Sequence, residues 1–345
     1  MNKRTYRTWW IIVIVVLLIT AIAAYYVYNR VFKSNVITTE ESTYLYVPTG
    51  TDLAGLTAHL KDQQIINNAN TFLWTAEKKR FSKVIPGKYL IEEGMSNNAL
   101  INLLRSGKQE PVMVTFNNVF TKEQLAGKLA KSIEADSLEF IFYFDTATIF
   151  KKLFISQENI LTIFIPDTYE FYWNTSAEEF VERMLKEHEK FWKGDRADKA
   201  ASIGLTPQEV YTLASIVYAE TKKADEAKRV AGVYMNRLRL NIPLQADPTL
   251  KFALGDFTIQ RILKKDMSVN SPYNTYKYTG LPPGPICMPP RIYLEAVLNY
   301  EKNDYIFFCA KEDFSGYHNF AVTLQEHNRN AKKYQDALNK SKIYR

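Results

Sequence analysis

The chain has 345 residues, 46% of them hydrophobic and 23% charged, enough for two modest domains beside one membrane-spanning segment. Its formal net charge of +7 comes from Lys and Arg dispersed along the chain, which favours anionic surroundings such as lipid headgroups or an acidic polymer. Neither a basic helix stripe nor a nucleic-acid motif accompanies that charge, so no nucleic acid is expected as a partner.

Residues 1–8 carry Lys3, Arg4 and Arg7 and precede the uncharged stretch 9–28, WWIIVIVVLLITAIAAYYVY. About 20 residues at helical rise span the ~30 Å hydrocarbon core of a bilayer. Trp9 and Trp10 at one end and Tyr25, Tyr26 and Tyr28 at the other fit the two interfaces, and the preceding basic residues keep the N-terminus cytoplasmic. Ala21-Ile22-Ala23 mimics a signal-peptide cleavage site, but the apolar run continues past it and is too long for a signal core. The expectation is a single-pass transmembrane helix in the inner (cytoplasmic) membrane, with the rest of the chain extracytoplasmic.

Residues 29–43 lack periodicity and read as a linker. A strand is expected over 44–47, then a turn at Pro48-Thr49-Gly50-Thr51 and a helix over 52–61 with Leu53, Leu56 and Leu60 at helical spacing. Asn70 is the expected cap of a second helix reaching about residue 79; a strand over 87–91 and a third helix over 97–105, stopped by Gly107, complete a domain over 44–109.

A strand over 112–116 opens the second domain, 110–345. Thr121 and Gln124 form a capping box for a helix through Ile133, and residues 163–169 read as a buried strand running into a turn. An amphipathic helix covers 177–192. Thr206-Pro207-Gln208-Glu209 joins a capping box to Pro at the first helical position, a firm start for the next helix. Another helix follows Asp225, with Val230, Ala231, Tyr234 and Leu238 along one face. Strands and helices mix without a regular βαβ alternation, so the fold class is α+β.

Glu220 ends the run LASIVYAET on the otherwise apolar stripe of its helix, over Leu213 and beside Ile216 and Val217. A carboxyl held against hydrocarbon resists ionisation, and its pKa rises toward neutrality, as a general acid requires. Two readings stand: a catalytic acid, or a structural carboxylate paired with Arg229 or Arg237. Cys287 and Cys309 lack the spacing of a redox or zinc motif, and either a disulfide or two free thiols fits them. No ligand spacing calls for a metal, and no cofactor is expected.

Downstream lie LQADPT, which reads as a turn, the aromatic and amide-rich SPYNTY, the rigid loop GLPPGPI, and YHNF. Tyr, Asn and Gln in loops suit stacking and hydrogen bonding on an uncharged polar polymer such as a glycan. The set LASIVYAET, RVAGVYMNRLRL, LQADPT, SPYNTYKYTGLPPGPI and YHNF, in this order, resembles the YceG-like (MltG) endolytic murein transglycosylases, and the resemblance runs from about residue 44 to the C-terminus. VPTGTDL and PGKYLIEEG resemble the LysM-like module that precedes the catalytic domain in that family. Two departures occur: Leu161-Thr162 stands near where a Glu-Gly pair often precedes PDTY, and Tyr218 stands where many relatives carry a second Glu.

The resemblance implies a membrane-anchored lyase that cleaves the MurNAc-β-1,4-GlcNAc bond of peptidoglycan and leaves 1,6-anhydroMurNAc ends. Glu220 would protonate the glycosidic oxygen, the substrate's 2-acetamido group would shield the oxocarbenium centre, and ionised Glu220 would take the proton of the muramyl 6-hydroxyl. Gln245, Asp247, Tyr273, Asn274, Thr275 and Tyr276 are expected to line the cleft, although Asp247 fits a loop-fixing role equally well. Implied partners are peptidoglycan glycan strands, the lipid bilayer and cell-wall synthesis proteins. The alternatives are a lysozyme-like muramidase, with Asp247 activating water, and a non-catalytic glycan-binding scaffold.

Overall fold

The computed structural model describes residues 3–38, 40–117, 119–145, 155–259 and 262–340. It is a mixed α+β chain that divides into two compact units, Met1–Met113 with Ser132–Glu134 and Glu170–Thr175, and Val114–Lys131 with Ala135–Tyr169 and Ser176–Arg345.

The first unit opens on helix α1, Lys3–Val31, within which Tyr6–Val31 contains an 18-residue window of mean hydropathy 2.7 and has none of its residues buried. Such a stretch is long and apolar enough to cross a bilayer, at about 39 Å by helical rise. Strands β1 (Ser42–Val47) and β2 (Gly87–Glu92) pair antiparallel, Ser42 opposite Glu92 and Val47 opposite Gly87. Strand alternation turns Leu45, Val47, Tyr89 and Ile91 inward, while Tyr44 and Tyr46 stay exposed. Between the strands lie α2 (Leu53–Asp62) and α3 (Ala69–Lys78), and α4 (Asn97–Ser106) follows them. Asp52 and Ser96 cap α2 and α4, and Gly107 closes α4 in the left-handed conformation that costs glycine nothing. The cap of α3 is Asn68, accepting from Thr71 N–H, rather than the expected Asn70.

The stretch 29–43, read as linker, is held by this unit: Val36 is buried, and Ser34 and Val36 make bridges to Ser96 and Ile66. Asn35 donates to Asn97 Oδ1 at 2.7 Å and accepts from Asn68 N–H, while Asn97 and Thr75 donate to the carbonyl of Arg30 near the end of α1. A linker without hydrophobic periodicity is ordered here through side-chain amides, which no apolar pattern reveals.

In the second unit α5 (Lys122–Leu129) starts at Thr121 as expected but stops four residues before Ile133. Helix α6 spans Ser137–Phe144, and α7 spans Ala177–Trp192, with a full capping box between Ser176 and Glu179. The expected strand from Ile163 is a 3₁₀ turn over Gln157–Ile163 followed by buried extended chain, and strand β4 is confined to Thr168–Phe171, paired with β3 (Val112–Thr115). Pro166 has no N–H to give a ladder, and Tyr211 Oη instead donates to Phe164 O at 2.9 Å. A short apolar run identifies burial without identifying the element.

After α8 (Asp195–Ser202) the chain enters the central helix α9, Pro207–Glu220, whose residues Val210–Val217 are all buried. It packs against α10 (Ala227–Arg239), α11 (Asp247–Leu254) and α12 (Arg291–Leu298). The antiparallel ribbon β5 (Phe307–Ala310) and β6 (His318–Ala321) and helix α13 (Leu324–Lys340) complete the unit. The segment read as a turn, LQADPT, contains the start of α11: Asp247 and Pro248 occupy its first turn, where a carboxylate meets the positive helix end and a missing N–H is harmless.

Candidate active site

Glu220 is the last residue of α9. The helix is anchored at its start by a reciprocal capping box between Thr206 and Glu209 with Pro207 in the first turn. Leu213, Ile216 and Val217 beneath Glu220 are fully buried, and Glu220 itself stays half-buried at a cleft. Tyr234, one face of α10 away, donates its hydroxyl to Glu220 Oε1 at 3.0 Å. Among the described residues Glu220 has no ion-pair partner. Arg229 binds Glu301, and Arg237 donates to the carbonyls of Ile306, Pro243 and Leu244 and to Gln245 Oε1. The structural reading of Glu220 as the partner of Arg229 or Arg237 does not hold.

Burial raises the Glu220 pKa from 4.5 to about 7; the hydrogen bond from Tyr234 opposes that rise, the charge of Asp247 adds to it, and His318 and Lys251 oppose it. The carboxyl also sits at the negative end of the α9 dipole, which works in the same direction as burial. Near neutral pH such a group exists in comparable amounts as acid and as base, the poise that proton donation followed by proton removal demands.

The cleft has a volume of about 470 Å³ and is bordered by Glu220, Tyr234, Arg237, Gln245, Asp247 and Tyr276, with β5, His318 and the start of α13 on the far wall. Gln245 adopts a left-handed backbone (φ 54°), and its side chain is held by Arg237. Asp247 accepts the hydroxyl of Tyr276, which fixes both side chains at the rim. Burial and Asp247 together push the Tyr276 phenol up, so it remains a donor throughout the physiological range.

The other three expected lining residues sit elsewhere. Asn274 is fully buried; its amide donates to the carbonyls of Met267 and Val269, and its oxygen accepts from Tyr276 and Lys277 N–H. Thr275 is buried and bonds Ala246 N–H and Thr249 Oγ1, joining this loop to the start of α11. Tyr273 packs on Phe252 with ring centroids 4.6 Å apart. These three build the support that aims Tyr276 and Asp247. The Pro-rich loop is pinned to α9, with Ile286 N–H donating to Ser215 Oγ. Gly284 lies so close to the Glu158 carbonyl that a Cβ would fall 2.3 Å from it.

Tyr234, Arg237 and His318 are site residues that sequence reasoning left out of the cleft. The first two lie at i and i+3 on α10 and so share a face, a spacing that could have marked them once α10 was set beside α9. Both cysteines are free, Cys287 buried and Cys309 on the cleft wall. No group of three or more His, Cys, Asp or Glu side chains placed to hold a metal occurs among the described residues.

Comparison with known proteins matches residues 45–333 to the YceG-like family. A Bacillus subtilis (strain 168) protein named endolytic murein transglycosylase is 31% identical over 313 residues, covering 85% of this chain and 85% of that protein. A Streptococcus pneumoniae (serotype 2, strain D39) protein of the same name is 26% identical, covering 82% of this chain and 57% of its own length. The crystal structure of a YceG-like protein from Listeria monocytogenes superposes with a TM-score of 0.58 at 27% identity, covering 84% of this chain and 98% of that one. With the family pattern spanning most of its length and the Glu220 cleft inside the matched region, this chain belongs to the YceG-like family.

Proposed function

We propose that the chain is a membrane-anchored endolytic lytic transglycosylase of peptidoglycan. The observation that carries this reading is Glu220 itself, a carboxyl with its pKa raised to about 7 at the floor of an open polar cleft. Relatives named endolytic murein transglycosylase support the substrate class. Protonated Glu220 gives its proton to the glycosidic oxygen as the C1–O bond of MurNAc breaks, and the GlcNAc 4-hydroxyl leaves. The acetamido carbonyl of the same muramyl residue closes on C1 and disperses the positive charge, in place of an enzymic nucleophile. The 6-hydroxyl then displaces the acetamido oxygen at C1 and returns its proton to Glu220. The anhydro ring closes, water is not consumed, and the enzyme ends in its starting state.

The apolar helix Tyr6–Val31 supports an inner-membrane anchor that holds the cleft outside the cytoplasm beside newly made strands, where cleavage limits strand length. Residues 44–109 are assigned to a LysM-like module that holds glycan, and 110–345 to the catalytic domain. Cell-wall synthesis proteins are the protein partners such a position calls for.

A second reading has one observation in its favour: Asp247 borders the same cleft, where a carboxylate could activate water in a lysozyme-like hydrolysis. Mass analysis of fragments from uncrosslinked peptidoglycan, with wild type and Glu220→Gln in parallel, decides between them. Anhydromuramyl ends that vanish in Glu220→Gln are expected; reducing muramyl ends identify the hydrolase. Glycan binding without cleavage in the wild type identifies a scaffold and ends the enzymatic reading.

A further inference from the structure

Glu226 lies six residues beyond Glu220, in the turn that starts α10, and is only 5% exposed. A buried carboxylate needs hydrogen-bond donors, and here they come from two places. His318 on β6 supplies its main-chain N–H to Oε1 at 2.9 Å and its ring Nδ1 to Oε2 at 2.7 Å, and Thr221 Oγ1 reaches Oε2 at 3.4 Å. Thr221 is the residue that ends the helix carrying Glu220. One carboxylate therefore ties the end of α9 to the strand that carries His318.

An aromatic contact fixes the ring as well. Phe308, on the neighbouring strand, meets His318 edge-on at 5.2 Å and meets Tyr234 edge-on at 5.8 Å, and Tyr234 is the donor to Glu220. His318 and Glu220 border the same cleft. A carboxylate only accepts, so the Nδ1 that faces Glu226 carries its proton, and a neutral imidazole then has Nε2 as a bare acceptor. Carboxylate–imidazole pairs of this form set the tautomer and the aim of the ring.

We propose that His318, aimed by Glu226, is a substrate-contacting residue of the cleft whose Nε2 accepts a hydrogen bond from a hydroxyl or acetamido N–H of the bound glycan. Glu226 is the positioning residue that sets the tautomer. The inference rests on the transglycosylase reading and adds a second polar anchor to it. The sugar donor becomes more acidic as positive charge develops at C1, so the bond strengthens toward the transition state and acts on kcat more than on KM.

Two variants of the full chain, in detergent micelles with uncrosslinked glycan strands as substrate, test it. In His318→Asn the amide nitrogen replaces Nδ1 and keeps the Glu226 contact, but nothing stands at Nε2. In Glu226→Gln the amide donates to Nδ1 and forces the proton onto Nε2, turning the acceptor into a donor. Each is expected to lower kcat by roughly ten- to a hundredfold, with KM nearly unchanged and the melting temperature kept within a few degrees. Ring nitrogen NMR is expected to show Nδ1 protonated in wild type and Nε2 protonated in Glu226→Gln. Wild-type kcat in either folded variant overturns the proposal, as does an unprotonated Nδ1 or a protonated Nε2 in the wild type, which is read even if both variants fail to fold. Absence of cleavage in the wild type removes the transglycosylase reading instead, while the NMR measurement still judges the Glu226–His318 pair.

Discussion

Two clusters of buried or half-buried polar groups, one in each unit, show opposite habits. In the N-terminal unit the buried Asn35 and Asn97 exchange hydrogen bonds with each other, with the Asn68 backbone, with Thr71 and with the Arg30 carbonyl until both side-chain amides are served from within the protein. In the second unit Glu220 receives one bond among the described residues, from Tyr234, and its remaining capacity opens on a cleft. A closed network gains rigidity and has nothing left for a ligand. An under-served carboxyl raises its pKa and keeps a lone pair for chemistry, at a cost in stability. Polar burial by itself thus says little about function; what counts is where the unsatisfied valence points.

The largest expected contrast comes from Glu220→Gln. Loss of a general acid–base group typically removes about 10²- to 10⁴-fold in rate, and initial rates of anhydromuramyl release measure it. Stability should move the other way. The folded chain holds the Glu220 proton more tightly than the unfolded chain does, so wild-type stability falls as pH rises from near 4.5 to about 7 and stays low above that. The effect is on the order of 3 kcal/mol, and Glu220→Gln lacks it. Chemical denaturation at pH 5 and pH 8 is expected to show similar stabilities at the lower pH and a more stable variant at the higher. A variant less stable at both would mean that Glu220 is a structural carboxylate after all.

Asn97→Ala probes the closed network. It leaves the Arg30 carbonyl and the Asn35 amide short of partners, and a loss of roughly 2 kcal/mol is expected in denaturant melts. The pH dependence of cleavage should not move. A shifted pH profile would show that the two clusters are coupled.

The smallest effects are opposed shifts in the alkaline limb of that profile, where Glu220 loses its proton. Tyr234→Phe removes a bond that stabilises the charged carboxylate, so the limb moves to higher pH; Asp247→Asn removes a charge that disfavours it, so the limb moves to lower pH. Each shift is expected to be below about one unit. Shifts of the same sign would refute this account of the Glu220 environment.

Much of the fold was legible where a local physical rule decides it. Thr206 and Glu209 close the expected box, α7 runs over the residues its apolar period marked, and Gly107 ends α4. Legibility failed where the deciding contact is distant. Extended chain at Phe164 is satisfied by Tyr211, 47 residues on, and the linker around Asn35 is ordered by Asn97, 62 residues on. In SPYNTY the same chemistry, amide beside ring, serves two purposes, and only burial separates Tyr276 at the cleft from Asn274 in the loop interior.

From the sequence alone came the apolar N-terminal segment, the α+β class and Glu220 as a lone carboxyl on an apolar stripe, because hydrophobic period, capping chemistry and helical spacing are local properties. The family resemblance, not the local pattern, singled Glu220 out as the acid. Tertiary structure decided that Arg229 and Arg237 face other partners, that Tyr234 reaches Glu220, and that Glu226 and His318 meet across 92 residues. The pKa of a carboxyl depends on which donors and charges approach within a few ångströms. That proximity is set by how α9, α10 and the β5–β6 ribbon pack, and no stretch of sequence contains it.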